Sequence, residues 1–499
     1  MNAPRRSQPK NALTRRIFVA GTLAAAALPL PPVDVRVGHV SAQAAPRSND
    51  TPKTHKLLFE ARERRRRILG DDGPEVPLWT YTDEPLLVQR IALGDSLDVT
   101  LVNHLPEHTS IHWHGVRVPN AMDGVQYLTQ PPVQPGERFT YRFTPPDTGS
   151  FFFHPHCNKS GQVGHGLMGL LIVEGDETVP SAAEIVLAVK DWRLNEAGAL
   201  LPFTTDAGAG RAGTFGTRRA VNNKPTEQVL VPARSDIRVR LYNVDPTRVM
   251  QVGVEGGEAA VIAIDGNPCT PFMLDKSGFD TWSMGPAQRI DLRVRSAAPG
   301  QEIRLVDYFA SEPWTIATLT SGSGPQTPAP FNLAPLSRPS RPEPDLAHAK
   351  RLTFAFSAAS DAAATVLDQF TPGDPLANVM LDSLCVADKT FWAINKTPWP
   401  NNGHRSLPPP LFTLSEGKTY VATLINATPH NHPIHLHGMT FRVLSSTRQR
   451  LPAHDADTVL VGPKERVEIA FVAAPGLWMI HCHILEHLEY GMMGYVKVV

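Results

Sequence analysis

From Gly94 to Asn103 the apolar residues Leu97, Val99 and Leu101 alternate with Asp98 and Thr100, the period of a half-buried strand. The same pattern returns from Gly417 to Asn426, where Tyr420, Ala422 and Leu424 hold the matching positions. Nine residues beyond each terminal asparagine stands a histidine, in Ile111-His112-Trp113-His114-Gly115 and in Ile434-His435-Leu436-His437-Gly438. A second block repeats as well. Residues Pro135 to Phe143 lead to His154-Pro155-His156, and Pro463 to Phe471 lead to His481-Cys482-His483. Between the two copies lies a degenerate third, Asp236 to Asn243 and Pro286 to Val294, with Val252 and Val254 where histidines would fall. The pattern predicts an all-β protein of three related domains, with metal chemistry in the first and third only.

Composition agrees with many turns: 47 Pro and 36 Gly in 499 residues. Basic and acidic residues balance at 48 each, so the total charge directs the chain to neither nucleic acid nor a membrane surface. The run Arg64 to Arg67 lacks interleaved aromatics and reads as a solvated face. Domain boundaries are expected at 45–176, 177–322 and 349–499, with a Pro-rich linker over 323–348.

Residues 1–44 read as an address. Arg15-Arg16 precedes a short apolar run from Val19 to Leu30, and Ala42-Gln43-Ala44 supplies a small-x-small cleavage site. This predicts a twin-arginine signal, read by the export machinery that carries folded proteins, and a periplasmic mature chain without stable membrane insertion. In that compartment Cys157, Cys269 and Cys385 could form at most one disulfide, and the sequence does not choose among the three pairings.

His-x-His on a strand puts two imidazoles on one face. There are four such pairs: His112/His114, His154/His156, His435/His437 and His481/His483. Eight imidazoles suit a cluster of about three ions. The remaining candidates, His432, Cys482, His487 and Met492, form the set of a blue copper site with a weak axial thioether; Met493 competes with Met492, and spacing favours Met492. A simple electron carrier would need only that second set.

The segments His112-Trp113-His114-Gly115, His154-Pro155-His156, His432-Pro433-Ile434-His435-Leu436-His437-Gly438 and His481-Cys482-His483 through Met492 resemble the four copper-binding motifs of the multicopper oxidases. The resemblance covers the chain from about residue 50 to Val499. It implies three cupredoxin-like Greek-key β-sandwich or barrel domains and four copper ions. His432, Cys482, His487 and Met492 would hold the type 1 copper, and His112 and His435 the type 2 copper. His114, His154 and His483 would hold one type 3 copper, and His156, His437 and His481 the other. The middle domain would act as a spacer and as a wall of the substrate cleft.

The family reaction takes single electrons from a small reducing substrate, phenols or aromatic amines in the laccase-like branch, and passes them through Cys482 to dioxygen, which becomes water. An axial Met implies a low- to mid-potential enzyme. Oxygen reduction also needs protons. Asp123 occupies the position where bacterial relatives keep a proton-handling Asp. Many of them carry Glu directly after the second type 1 histidine, where this chain has Leu488, so Glu486 and Glu489 are further candidates. The alternative role is a periplasmic cuprous-ion oxidase. That branch often carries a Met-rich insertion, and this chain has 11 Met and no such cluster. A copper-free scaffold would have no use for a full ligand set.

Overall fold

The computed structural model describes residues 51–156, 159–276, 278–338, 340–359, 391–399 and 407–499, together with the backbone of the short strand Val40–Ser41. The expected export signal lies outside these residues apart from that strand, as do Cys157 and Cys385. Among the described residues no helix is long and apolar enough to cross a membrane. Cys269 is a buried free thiol.

The repeated blocks become the same strands in each third of the chain. Ser96–Asn103 lies parallel to Thr54–Arg67 and antiparallel to Arg138–Phe143. Thr419–Asn426 lies parallel to Lys350–Ala358 and antiparallel to Arg466–Val472. The degenerate copy follows suit, with Asp236–Asn243 between Ala183–Trp192 and Arg289–Arg295. Each third adds a second sheet, and the core fills the space between the two. In the first, Leu97, Val99 and Tyr141 of one sheet meet Trp113, Phe151 and Leu171 of the other.

The terminal asparagine of each repeat explains why the loop beyond it is so well placed. Asn103, Asn243 and Asn426 are all buried. A buried amide must find partners for its donors and its acceptor. Asn103 Nδ2 donates to the carbonyls of Glu107 and Val133, and its Oδ1 accepts from Leu105 N. Asn426 donates to the carbonyls of His430 and Val461 and accepts from Thr428 N. Asn243 repeats this on Arg248 and Met284. Each side chain thus pins the loop that leads to the next strand, which in the first and last thirds carries the histidines.

Among the described residues of the Pro-rich stretch 323–348 the only helical turn or strand is the short 3-10 turn Leu346–His348. Arginines of the middle sheet hold the stretch down. Arg295 donates to the carbonyls of Ala329 and Pro330, and Arg293 to those of Asn332 and Ala334.

Candidate metal centre

The two sites occupy opposite faces of one strand pair. His432–Leu436 runs antiparallel to Gly476–Cys482, with Ile434 opposite Cys482 and His435 opposite His481. Alternation sends His432 and Cys482 to one face and His435 and His481 to the other. The first third offers the equivalent pair, His112–His114 against Gly149–His154, with His112 opposite His154. Facing each other, the two pairs close a cage of eight buried imidazoles. Rings stack across the join, His112 on His437 at 3.9 Å and His114 on His435 at 3.8 Å between centroids.

Within the cage, ligand atoms converge in groups. His112, His114 and His435 form one; His114, His154 and His483 a second; His156, His437 and His481 a third, each within 4.8 Å. A separate group joins His432, Cys482 and His487. Cys482 Sγ lies 3.4 Å from His432 Nδ1 and 3.6 Å from His487 Nδ1. Met492 is fully buried in the same core as Cys482, and its carbonyl accepts from Cys482 N at 3.1 Å. Met493 packs in a different cluster beside Met479 and Tyr495.

Hydrogen bonding leaves one lone pair on ring after ring pointing inward. His112 Nδ1–H donates to the Asp123 carbonyl, and His435 Nδ1–H to that of Asp457. His114 Nε2–H donates to Asp457 Oδ1, and His437 Nδ1–H to Asp123 Oδ2. The freed atoms, His112 Nε2, His114 Nδ1 and His435 Nε2, are buried without a hydrogen-bond partner. His481 Nδ1–H donates to the Cys482 carbonyl, so its Nε2 lone pair faces that of His437 at 3.1 Å. His154 Nδ1–H donates to Pro155, and its Nε2 faces His483 Nε2 at 3.4 Å. The His437 and His481 lone pairs at 3.1 Å repel unless a cation lies between them. Burial and neighbouring imidazoles push His114 and His437 well below the ordinary histidine range, so protons do not fill that need. The residues therefore fit metal ions, and second partners on the outer ring nitrogens are the usual companions of metal-ligating histidine.

The Cys482 site fits in the same way. His487 Nδ1 stands 3.1 Å from His432 Nδ1 while its Nε2–H donates to the Arg211 carbonyl. Burial pushes His487 down to about 3 and pushes the Cys482 thiol up. A bound metal would be needed to draw out the thiolate. Thiolate with imidazole and a buried thioether selects copper.

Of the expected acids, Asp123 touches the cage. Burial would raise its carboxyl, but His437 and His112 hold it well below the usual carboxylate range. Glu486 accepts from Thr214 N, Thr214 Oγ1 at 2.6 Å and Thr205 N at 3.3 Å, and Glu489 from Ser160 N at 2.9 Å. Sequence reasoning missed Asp457, the counterpart of Asp123. Each aspartate gives its carbonyl to the first histidine of its own repeat and its carboxylate to the second histidine of the other. Gly115 makes room for this: with φ +82, its absent Cβ would lie 2.3 Å from Asp457 Oδ2. The middle third, expected as a spacer and cleft wall, also reaches the residues that orient the cage. Arg289, fully buried, donates to both Asp457 oxygens at 3.0 and 2.6 Å, and Asp265 Oδ2 accepts from Thr458 N at 3.1 Å.

Fold and site together define an all-sheet, cupredoxin-like metalloprotein with a histidine cage wired to a cysteine site. Multicopper oxidase family models match residues 66–178 and 378–499. A multicopper oxidase structure from Pseudomonas thermotolerans is 35% identical, with a TM-score of 0.77, over 90% of this chain and 100% of that one. Multicopper oxidase MmcO of Mycobacterium tuberculosis is 28% identical over 84% of this chain and 83% of the relative. Laccase-1 of Botryotinia fuckeliana is also 28% identical, over 80% and 74%. The chain belongs to the multicopper oxidase family and is a copper-dependent oxidoreductase that uses oxygen.

Proposed function

We propose that this protein is an exported, periplasmic laccase-like oxidase of three domains, 45–176, 177–322 and 349–499, and holds four copper ions. His432, Cys482, His487 and Met492 would hold one. His112 with His435, His114 with His154 and His483, and His156 with His437 and His481 would hold the others. Bound there, copper supplies one-electron oxidation of phenols or aromatic amines at the cysteine site and four-electron reduction of dioxygen to water in the cage. The observation that carries the reading is the facing of lone pairs across both sites, joined by the covalent run His481-Cys482-His483.

The chain's own residues do the rest. Backbone carbonyls orient His112, His154, His435 and His481, and two aspartates orient His114 and His437. Asp123 accepts from His437 Nδ1–H, which orients that ring, and it is the expected acid that stands beside the cage. Oxidation of cuprous ion is a second reading, favoured by the closed outer edges of His432 and His487. Oxygen uptake by copper-loaded protein with phenols, aromatic amines, Cu(I) and Fe(II) tests both. Uptake with organic donors is expected; no uptake with any donor would sink the oxidase reading.

A further inference from the structure

The cysteine site has two edges through which a donor could reach it, the outward ring nitrogens of its histidines. Both are covered. His432 Nε2 is hydrogen-bonded to Thr428 Oγ1 at 2.7 Å. His487 Nε2–H donates to the Arg211 carbonyl at 2.6 Å. Arg211 does not belong to the strands that build the site. It lies in Thr205–Thr214, a segment of the middle third that runs beyond the strand Ala183–Trp192.

Four attachments hold this strap over the site. Thr205 N and Thr214, through both its N–H and its hydroxyl, donate to the buried Glu486 carboxylate. Trp392 Nε1 donates to the Ala209 carbonyl at 2.7 Å, and the Trp392 ring lies 4.7 Å from that of His487. Tyr490 Oη donates to Asp206 Oδ1 at 2.8 Å. The Arg211 carbonyl is the fourth. The strap's composition permits the close approach. Between Asp206 and Thr214 every residue but Arg211 is Ala or Gly, and a Cβ at Gly213 would meet Thr247 at 2.4 Å. Ala209 is fully buried and Arg211 half-buried, with its Nη2 enclosed, so the strap lies close against the site.

From this geometry, and resting on the oxidase reading above, we infer that the Thr205–Thr214 strap is the specificity element of electron entry. It occupies the hydrogen-bonding position on His487 that a phenol oxygen would need. The protein as built favours donors that deliver an electron without that bond, and large phenols are turned over only as far as the strap gives way. Glu486 in this arrangement is a positioning residue, since it acts on the site by anchoring the strap.

The test uses the copper-loaded full chain and a variant in which Ala207–Ala212 is replaced by two glycines, keeping Thr205, Thr214 and every histidine. A milder variant, Asp206→Ala with Tyr490→Phe, removes one attachment and guards against a folding defect in the first. Two donors are compared, 2,6-dimethoxyphenol and ferrocyanide, the latter coordinatively saturated and needing no hydrogen bond to His487. The ratio of kcat/KM for the phenol over that for ferrocyanide should rise at least about tenfold in the shortened variant and by less in the double variant. Independently of turnover, diethyl pyrocarbonate labelling of His487 Nε2, mapped by mass spectrometry, should be absent in the parent and present in the shortened variant. An unchanged ratio, or labelling of His487 at equal rates in both, would overturn the strap's role. If neither donor drives oxygen uptake, the oxidase reading fails, and the labelling still decides whether the strap covers His487.

Discussion

Cys482 has one neighbour on each side that belongs to the cage, and its own sulfur belongs to the other site. Cys482→Ser should therefore abolish the blue colour and turnover while the cage keeps its copper, read by metal analysis and by the persistence of the type 2 resonance signal; normal turnover by that variant would refute the proposed path. Asp457 makes a different demand. Its carboxylate holds His114 and its carbonyl holds His435, so Asp457→Asn should disturb one ring while sparing the other contact. Loss of such a partner typically weakens metal affinity by about 10- to 100-fold, and titration of the cage with copper would measure it. The histidines were legible because His-x-His recurs at matching repeat positions. Asp123 was legible as an acid soon after His112. Asp457 was not, because it follows His435 by 22 residues where Asp123 follows His112 by 11, so the loop insertion hides the correspondence. Leu488 raised the question of which acid serves the cage, and the contacts of Asp123 and Asp457 bear on it more than those of Glu486.

Strands and the loops that leave them carry the next level of organisation. Burial alternates along Ser96–Asn103 as its pattern predicts, whereas the first half of Thr419–Asn426 is buried on both faces. Val421 stands where the first copy has Asp98, so the second face is itself apolar there. The asparagine clamps allow a clean separation of stability from metal binding. Asn243→Ala in the metal-free middle repeat should cost about 1–3 kcal/mol in denaturant unfolding and leave copper content intact, since it strands the carbonyls of Arg248 and Met284. Asn426→Ala should cost a similar amount and also weaken copper binding, because its loop ends at His430 and leads to His432. A fall in copper content in the Asn243 variant would show that the clamps are not separable in this way. The strap at 205–214 escaped the sequence because a run of Gly and Ala has neither period; its meaning comes wholly from what it lies against.

Across the whole molecule the thirds are joined by buried charge. Arg238 is fully buried and pairs with Asp176 at 2.8 and 2.7 Å and with Asp291 at 3.0 Å, while Arg240 reaches Glu184 and Ser150. Burial would raise the Asp176 carboxyl, yet Arg238 holds it at about 2 against 3.8 for the free group. A depressed folded value means that the pair's stabilisation is present above the unfolded value and is lost as pH falls toward 2. The shift corresponds to roughly 2 kcal/mol, so wild-type protein should lose about that much stability between pH 5 and 2 through this group. Asp176→Asn should be less stable at neutral pH and flatter across that window; parallel pH curves for the two proteins would remove Asp176 from the account. None of this network was readable beforehand, because arginines in an alternating strand look like a solvated face. The crossed aspartates have a last consequence. Neither the first nor the last third owns a finished set of oriented histidines, because each borrows its second carboxylate from the other. Copper capture in the cage is then a readout of completed assembly: a molecule whose thirds have not docked offers the metal only half-oriented rings, and metal content counts finished molecules rather than synthesised ones.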